Sequence, residues 1–244
     1  MRFGCCASLD DIQTVQDAGY DYIELPVSLV KAESPDSEFE ETLELVRSYE
    51  IVPEVWNSLL PPDIKITGPE VDIYRIERYM RTAFQRAEEL GGEVVVFNSP
   101  EARNVPEGFS FEDAAEQIIE FVTLAGRIAG THGITIAIQP INSGECNIVN
   151  NLTEALQIVR AADHPFVKLA ADLHQMQQEQ EPLDHIIKAR AEIVHVCVDD
   201  SPQAEFLEVL KEIGYNERIS IDCYAPDAPK ALADMRKLFS EIFY

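Results

Sequence analysis

Positive charge is scarce in this chain. Its 244 residues carry 19 Lys and Arg against 44 Asp and Glu, a formal net charge of −25. Nucleic-acid phosphates are gripped by clustered Lys and Arg, so this balance excludes a nucleic-acid binder. It also argues against an anionic membrane surface, and its ordinary consequence is solubility. Long apolar runs are missing too. No stretch reaches the ~18 residues of a membrane span, and the opening MRFGCCASLDD lacks the apolar run of a signal peptide. The five cysteines, Cys5, Cys6, Cys146, Cys197 and Cys223, are odd in number and form no CxxC pair. That pattern predicts reduced thiols and a cytoplasmic protein rather than a disulfide framework. Cys5 and Cys6 are expected to face opposite sides of one strand. Neither GxGxxG nor a Walker A sequence occurs, so the usual signature of a doubly wound nucleotide-binding sheet is absent.

What the chain does have is alternation. Short runs rich in Val and Ile punctuate longer amphipathic stretches. Strands are expected at 2–5, 22–25, 52–55, 93–97, 135–139, 167–171, 193–198 and 219–222. The clearest helices are expected at 37–49, 72–90, 111–129, 152–162, 204–213 and 229–243. In 72–90 the apolar Ile73, Ile76, Met80, Ala83, Phe84, Ala87 and Leu90 recur at helical spacing. Gly19, Gly91, Gly130 and Gly214 stand where left-handed helix caps are expected. Repeated βα units at this length predict a (β/α)8 TIM barrel filling residues 1–244 as one domain. The segment 61–70 is then a loop long enough to cover a site.

A barrel of this kind carries its chemistry at the C-terminal ends of its strands. Those ends read Glu24, Trp56 and Asn57, Asn98 and Ser99, Gln139, Asp172, Cys197 and Asp199, and Asp222. Strand parity sets His195, Cys197 and Asp199 on one face, opposite Val196 and Val198. Gln139, Asp172, Cys197 and Asp222 therefore offer four potential metal donors around one space.

The segments ITGPEVD (66–72), VVVFNSPEARNVPEGF (94–109), IAIQPINSGECNIVNNLTEAL (136–156), VKLAADLHQM (167–176), HVCVDD (195–200) and IGYNERISIDC (213–223) are carried in order along nearly the whole chain. In that order they resemble the motifs of the xylose-isomerase-like family of sugar isomerases, ketose 3-epimerases, dehydratases and endonuclease IV. The resemblance implies a barrel with a divalent metal, here zinc or manganese, and a small polar substrate such as a sugar or polyol. It also allows a homo-oligomer.

The site departs from that pattern. Where the family has a Glu in an EPLN-like motif, this chain has Gln139 in QPIN. Asp172 is kept, but the family's His three residues on is Gln175, with His174 beside it. The second His of the seventh strand is Cys197, and the Glu of the eighth is Asp222. The family's Arg and Pro-Gly loop after the seventh strand is replaced by SPQAEF. Gln139 cannot be a general base, because a neutral amide takes no proton from carbon. Asp222 can be, one methylene further back.

Each candidate has a plainer alternative. Asp172 is a ligand, or a buried carboxylate held by backbone amides. Cys197 is a thiolate donor, or a small core residue. Gln139 is an amide-oxygen ligand, or a hydrogen-bonding strut. His174, just past Asp172, is a substrate-binding candidate, as is Asn98, while His195 is expected to be a satisfied core histidine. Arg103 binds an anionic substrate group, or pairs with Glu101 or Glu107. Trp56 stacks on a sugar, or caps the barrel. Two functions remain. One is a metal-assisted isomerase or epimerase moving a proton next to a carbonyl, with Asp222 and Gln139 at the reacting centre. The other is a catalytically degenerate barrel that binds a small polar ligand or a partner subunit.

Overall fold

Runs of Val and Ile fold as strands because branched side chains suit a pleated surface, and strands covered on both faces need no polar alternation. The computed structural model describes residues 1–199, 203–223 and 225–243. Its strands are β1 (Arg2–Cys6), β2 (Tyr22–Pro26), β3 (Val55–Asn57), β4 (Val94–Phe97), β5 (Thr135–Ile138), β6 (Val167–Asp172), β7 (Ile193–Asp199) and β8 (Arg218–Asp222). They pair in sequence order, all parallel, and β8 closes on β1 to complete a TIM barrel. The helices are α1 (Ile12–Ala18), α2 (Asp36–Arg47), α3 (Ile73–Glu89), α4 (Pro100–Arg103) and α5 (Phe111–Gly130). They continue as α6 (Leu152–Ala162), α7 (Leu173–Gln178), α8 (Asp184–Ala189), α9 (Ala204–Glu212) and α10 (Ala228–Phe243). None of the described helices is long and apolar enough to cross a membrane.

Most boundaries fall where the periodicity puts them, with three departures. The third strand starts at Val55 rather than residue 52. Pro53 has no N–H for the ladder, and Glu54 N turns back onto the Val52 carbonyl at 3.0 Å. Gly130 stays inside α5, and the left-handed residue there is Gly133, at φ 68°. A β-carbon on Gly130 would stand 2.6 Å from the Phe166 ring, so packing explains that glycine. The sixth unit carries two short helices, α7 and α8, where no single long pattern is legible.

Outward strand residues pack with the helices in the main core, while Tyr22, Val55, Val94, Val96, Ala137 and Ala170 fill the barrel. The N-terminal end is sealed by charge. Arg2 and Arg218 both reach Glu54, Arg218 Nε at 2.8 Å, and Arg218 also pairs with Glu93. One irregularity bears on the site. Leu169 pairs with Ile193 but Ala170 pairs with His195, so β7 bulges at Val194. Val194 packs on the barrel interior, and His195 faces inward too.

Of the glycines, Gly4 leaves the least room: a β-carbon there would lie 2.1 Å from the Tyr22 ring. Gly4→Ala should lower stability in urea by at least ~1–3 kcal/mol, as overpacking does. Combining it with Tyr22→Leu should recover part of that loss. A Gly4→Ala protein as stable as the wild type would contradict this packing.

Candidate active site at the barrel mouth

The inward positions at the C-terminal ends converge as strand parity requires. Asp172 is both the last residue of β6 and the N-cap of α7, so one carboxylate serves two elements. Its Oδ1 accepts the Gln175 backbone N–H at 2.9 Å, and its Oδ2 accepts Nε2 of Gln139 at 2.8 Å. Gln175 in turn accepts the backbone N–H of Asn142 at 2.8 Å and its Nδ2 at 2.7 Å, fixing the loop after β5. Cys197 lies opposite Asp172 in the strand register, and Asp222 lies between Cys6 and Asp199.

Below this ring is a polar layer that the sequence reading gave no role. Glu24, 4% exposed, accepts Nδ2 of Asn57 at 2.9 Å and sits 3.1 Å from Nε2 of His195. The imidazole is badly aligned for a hydrogen bond, and both its ring nitrogens lack partners among the described residues. His195 is therefore not the satisfied core histidine that was expected. Asn57 Nδ2 also reaches the Cys6 sulfur at 3.2 Å. Cys6 thus faces the site while Cys5 packs in the outer core, one in and one out. Glu24 and Asn57 stand among the polar strand ends already named, and strand parity adds Cys6 to them.

These groups shape one another's protonation. Burial alone would raise the Glu24 carboxyl, but His195, with Ser220 and Asn57, holds it below the usual carboxylate range. Burial pushes Asp172 up to about 6, against the Gln175 hydrogen bond and the nearby His174, with Asp222 and Glu24 adding to the rise. Asp222 is raised by burial and by Glu24, although its side chain is exposed at the rim. Burial, then Asp172 and Glu24, drives the Cys197 thiol well above its ordinary range.

His174 is exposed and close enough to lower both Asp172 and Asp222. Asn98 follows the inward Val94 and Val96, and its Oδ1 accepts the Ser58 N–H at 2.7 Å, pinning the loop after β3. Two expected substrate-binding residues lie elsewhere. Trp56 is fully buried and faces the helix layer, because the inward positions of β3 are Val55 and Asn57. It cannot stack on a ligand. Arg103 is also fully buried, donating to the Gln139 carbonyl at 3.0 Å and lying 5.4 Å over the Phe97 ring. It neither reaches the mouth nor pairs with Glu101 or Glu107 in these contacts; it clamps the ends of β4 and β5. Of the loop after β7, residues 200–202 lie outside the described part.

The donor set fits a divalent metal poorly. Among the described residues no three His, Cys, Asp or Glu side chains close on a common point. The Gln139 amide turns its N–H, not its oxygen, toward Asp172.

The family model for xylose isomerase-like TIM barrels matches residues 12–241. The chain belongs to that family. Among solved structures it is similar to D-psicose 3-epimerase in the presence of D-fructose, at 15% identity and TM-score 0.85, covering 98% of this chain and 99% of that one. D-psicose 3-epimerase from Clostridium cellulolyticum H10 with D-tagatose gives 16%, 0.84, 98% and 99%. The IOLI protein with a bound zinc atom gives 18%, 0.77, 100% and 99%. No curated protein matches in sequence.

Because folding raises the Asp172 carboxyl, the folded state holds its proton more tightly than the unfolded chain. The group's contribution to stability therefore falls as pH climbs from ~4, the unfolded value, to about 6. Asp172→Asn should gain stability over wild type across that window, reaching on the order of 3 kcal/mol by neutral pH. Urea titrations at several pH values measure the difference. A difference that does not vary with pH would reject a raised Asp172.

Proposed function

We propose that the barrel mouth binds a small uncharged sugar or polyol and moves a proton on a carbon next to its carbonyl, as an isomerase or epimerase. One observation carries this reading: Asp172 and Asp222 face one mouth, and both hold their protons more tightly than ordinary carboxylates. A general acid or base works best when its proton affinity approaches the working pH. Asp222, exposed at the rim, takes the proton from carbon. Asp172, aligned by Gln139 and Gln175, hydrogen-bonds a substrate hydroxyl or returns a proton. His174 and Asn98 supply donors for the substrate's oxygens as charge builds on them. The structural likeness to ketose epimerases agrees with this class.

The absence of charge on the substrate follows from the surroundings. Arg103 is committed to the wall, and the lining of the mouth named above brings Glu24, Asp172 and Asp222, with His174 and the Glu24-paired His195 as the cation-forming side chains among the described residues. A phosphorylated or carboxylic substrate would meet repulsion with no guanidinium to bind it. A second reading, binding without turnover, is favoured by the engagement of both Asp172 oxygens in the protein's own hydrogen bonds.

The test is proton exchange. Ketoses and cyclic ketopolyols incubated with the protein in D2O should gain deuterium beside the carbonyl, followed by NMR. Asp222→Asn should slow this at least ~100-fold, and phosphorylated counterparts should exchange more slowly than the free sugars. Saturable ligand binding without any deuterium uptake would select the second reading.

A further inference from the structure

We infer that the Gln139 amide stands in for a metal ion: its N–H satisfies the Asp172 carboxylate, and the site works without a divalent cation. A buried carboxylate needs a positive partner or hydrogen-bond donors. Asp172 finds donors only, the Gln139 Nε2–H at 2.8 Å on one oxygen and the Gln175 N–H at 2.9 Å on the other. A cation approaching between Gln139 and Asp172 would meet the positive end of the amide. Turning the amide over would present its oxygen, but that breaks the bond to Asp172 and supplies no charge. The remaining donors do not make good the loss, since no three His, Cys, Asp or Glu side chains gather at one point among the described residues. Gln139 is also held from behind. Its carbonyl accepts Arg103, its N–H reaches the Phe97 carbonyl at 3.2 Å, and it is 5% exposed. Its side chain therefore leaves the strand in a fixed direction, toward Asp172.

The consequence is specific to one atom. In Gln139→Glu the N–H becomes an oxygen, and two carboxylates face each other at hydrogen-bond distance. Two like charges so placed must share a proton or recruit a cation. A single substitution then creates the demand for metal that the wild type lacks. This inference does not depend on the proposed reaction, because metal binding is read directly.

The experiment uses the full chain, stripped with chelator and titrated with zinc chloride and with manganese chloride by calorimetry, alongside thermal unfolding with and without each ion. The wild type should take up neither ion stoichiometrically, and its unfolding midpoint should not respond to chelator. Gln139→Glu should unfold at a lower temperature in chelator, recover with one equivalent of either ion, and bind that ion at least ~10-fold tighter than wild type, the equivalent of ~1.4 kcal/mol. Asp172→Asn added to Gln139→Glu should abolish the gain. One equivalent of zinc or manganese bound by the wild type and lost in Asp172→Asn would overturn the inference. So would a folded Gln139→Glu protein with no more affinity for either ion than the wild type. The wild-type arm decides the matter even if the variant fails to fold.

Discussion

A single carboxylate beneath the barrel mouth sets the conditions for the groups above it. Glu24 is almost fully enclosed, and taking a charge out of water costs several kcal/mol unless the protein compensates it. The compensation comes from Asn57 on the neighbouring β3 and from His195 on β7, a strand that meets Glu24 only because the sheet closes. Its field then acts on Cys6, Asp172, Cys197 and Asp222, raising each of them. Burial is the largest cause of each rise, and Glu24, almost wholly enclosed one layer down, adds to all four. Changes at Glu24 or His195 would reset several groups together, which is why single-residue roles at this mouth are not independent.

The two ends of the barrel handle acidity in opposite ways. At the N-terminal end Glu54 and Glu93 are met by guanidinium groups from Arg2 and Arg218. At the C-terminal end the carboxylates are met by amides: Asn57 on Glu24, Gln139 on Asp172. Arginine does come near, but Arg103 spends its charge on the carbonyls of Phe97 and Gln139. In a chain with 19 basic residues against 44 acidic ones, this distribution is a choice of where cations go. They seal the floor, and the mouth keeps its negative charge.

The barrel was legible in the sequence because its signals are local. Val-Ile runs, helical spacing and turn glycines each report on a few neighbouring residues, and parity correctly turned Cys197 inward and Cys5 away from Cys6. The failures involve information that is not local. Trp56 reads as a mouth residue because it stands beside Asn57 at the strand end; the face is set by Val55, which turns inward and sends Trp56 outward. Arg103 looked free because its partners are backbone carbonyls, which no pattern of side chains reveals. The Glu24–His195 contact joins residues from β2 and β7, and only closure of the sheet brings them together. The hydrogen bond from Gln139 to Asp172 is of the same kind: each residue was identified, but the direction of the amide was not.

The bulge at Val194 acts as a phase reset in the seventh strand. Below it, Ile193 belongs to the outer layer; above it, His195 and Cys197 point to the axis while Val196 and Val198 point outward. A strand has only two faces, so pairing Val194 into the ladder as an ordinary residue, instead of bulging it, would exchange them for the rest of the strand. Valines would then line the mouth, and the imidazole and thiol would be pressed into the helix layer. The chemistry of an entire wall of this site therefore hangs on a one-residue irregularity. The same slack lets the seventh strand lose Val194 and close into a regular ladder with His195 and Cys197 still facing the axis.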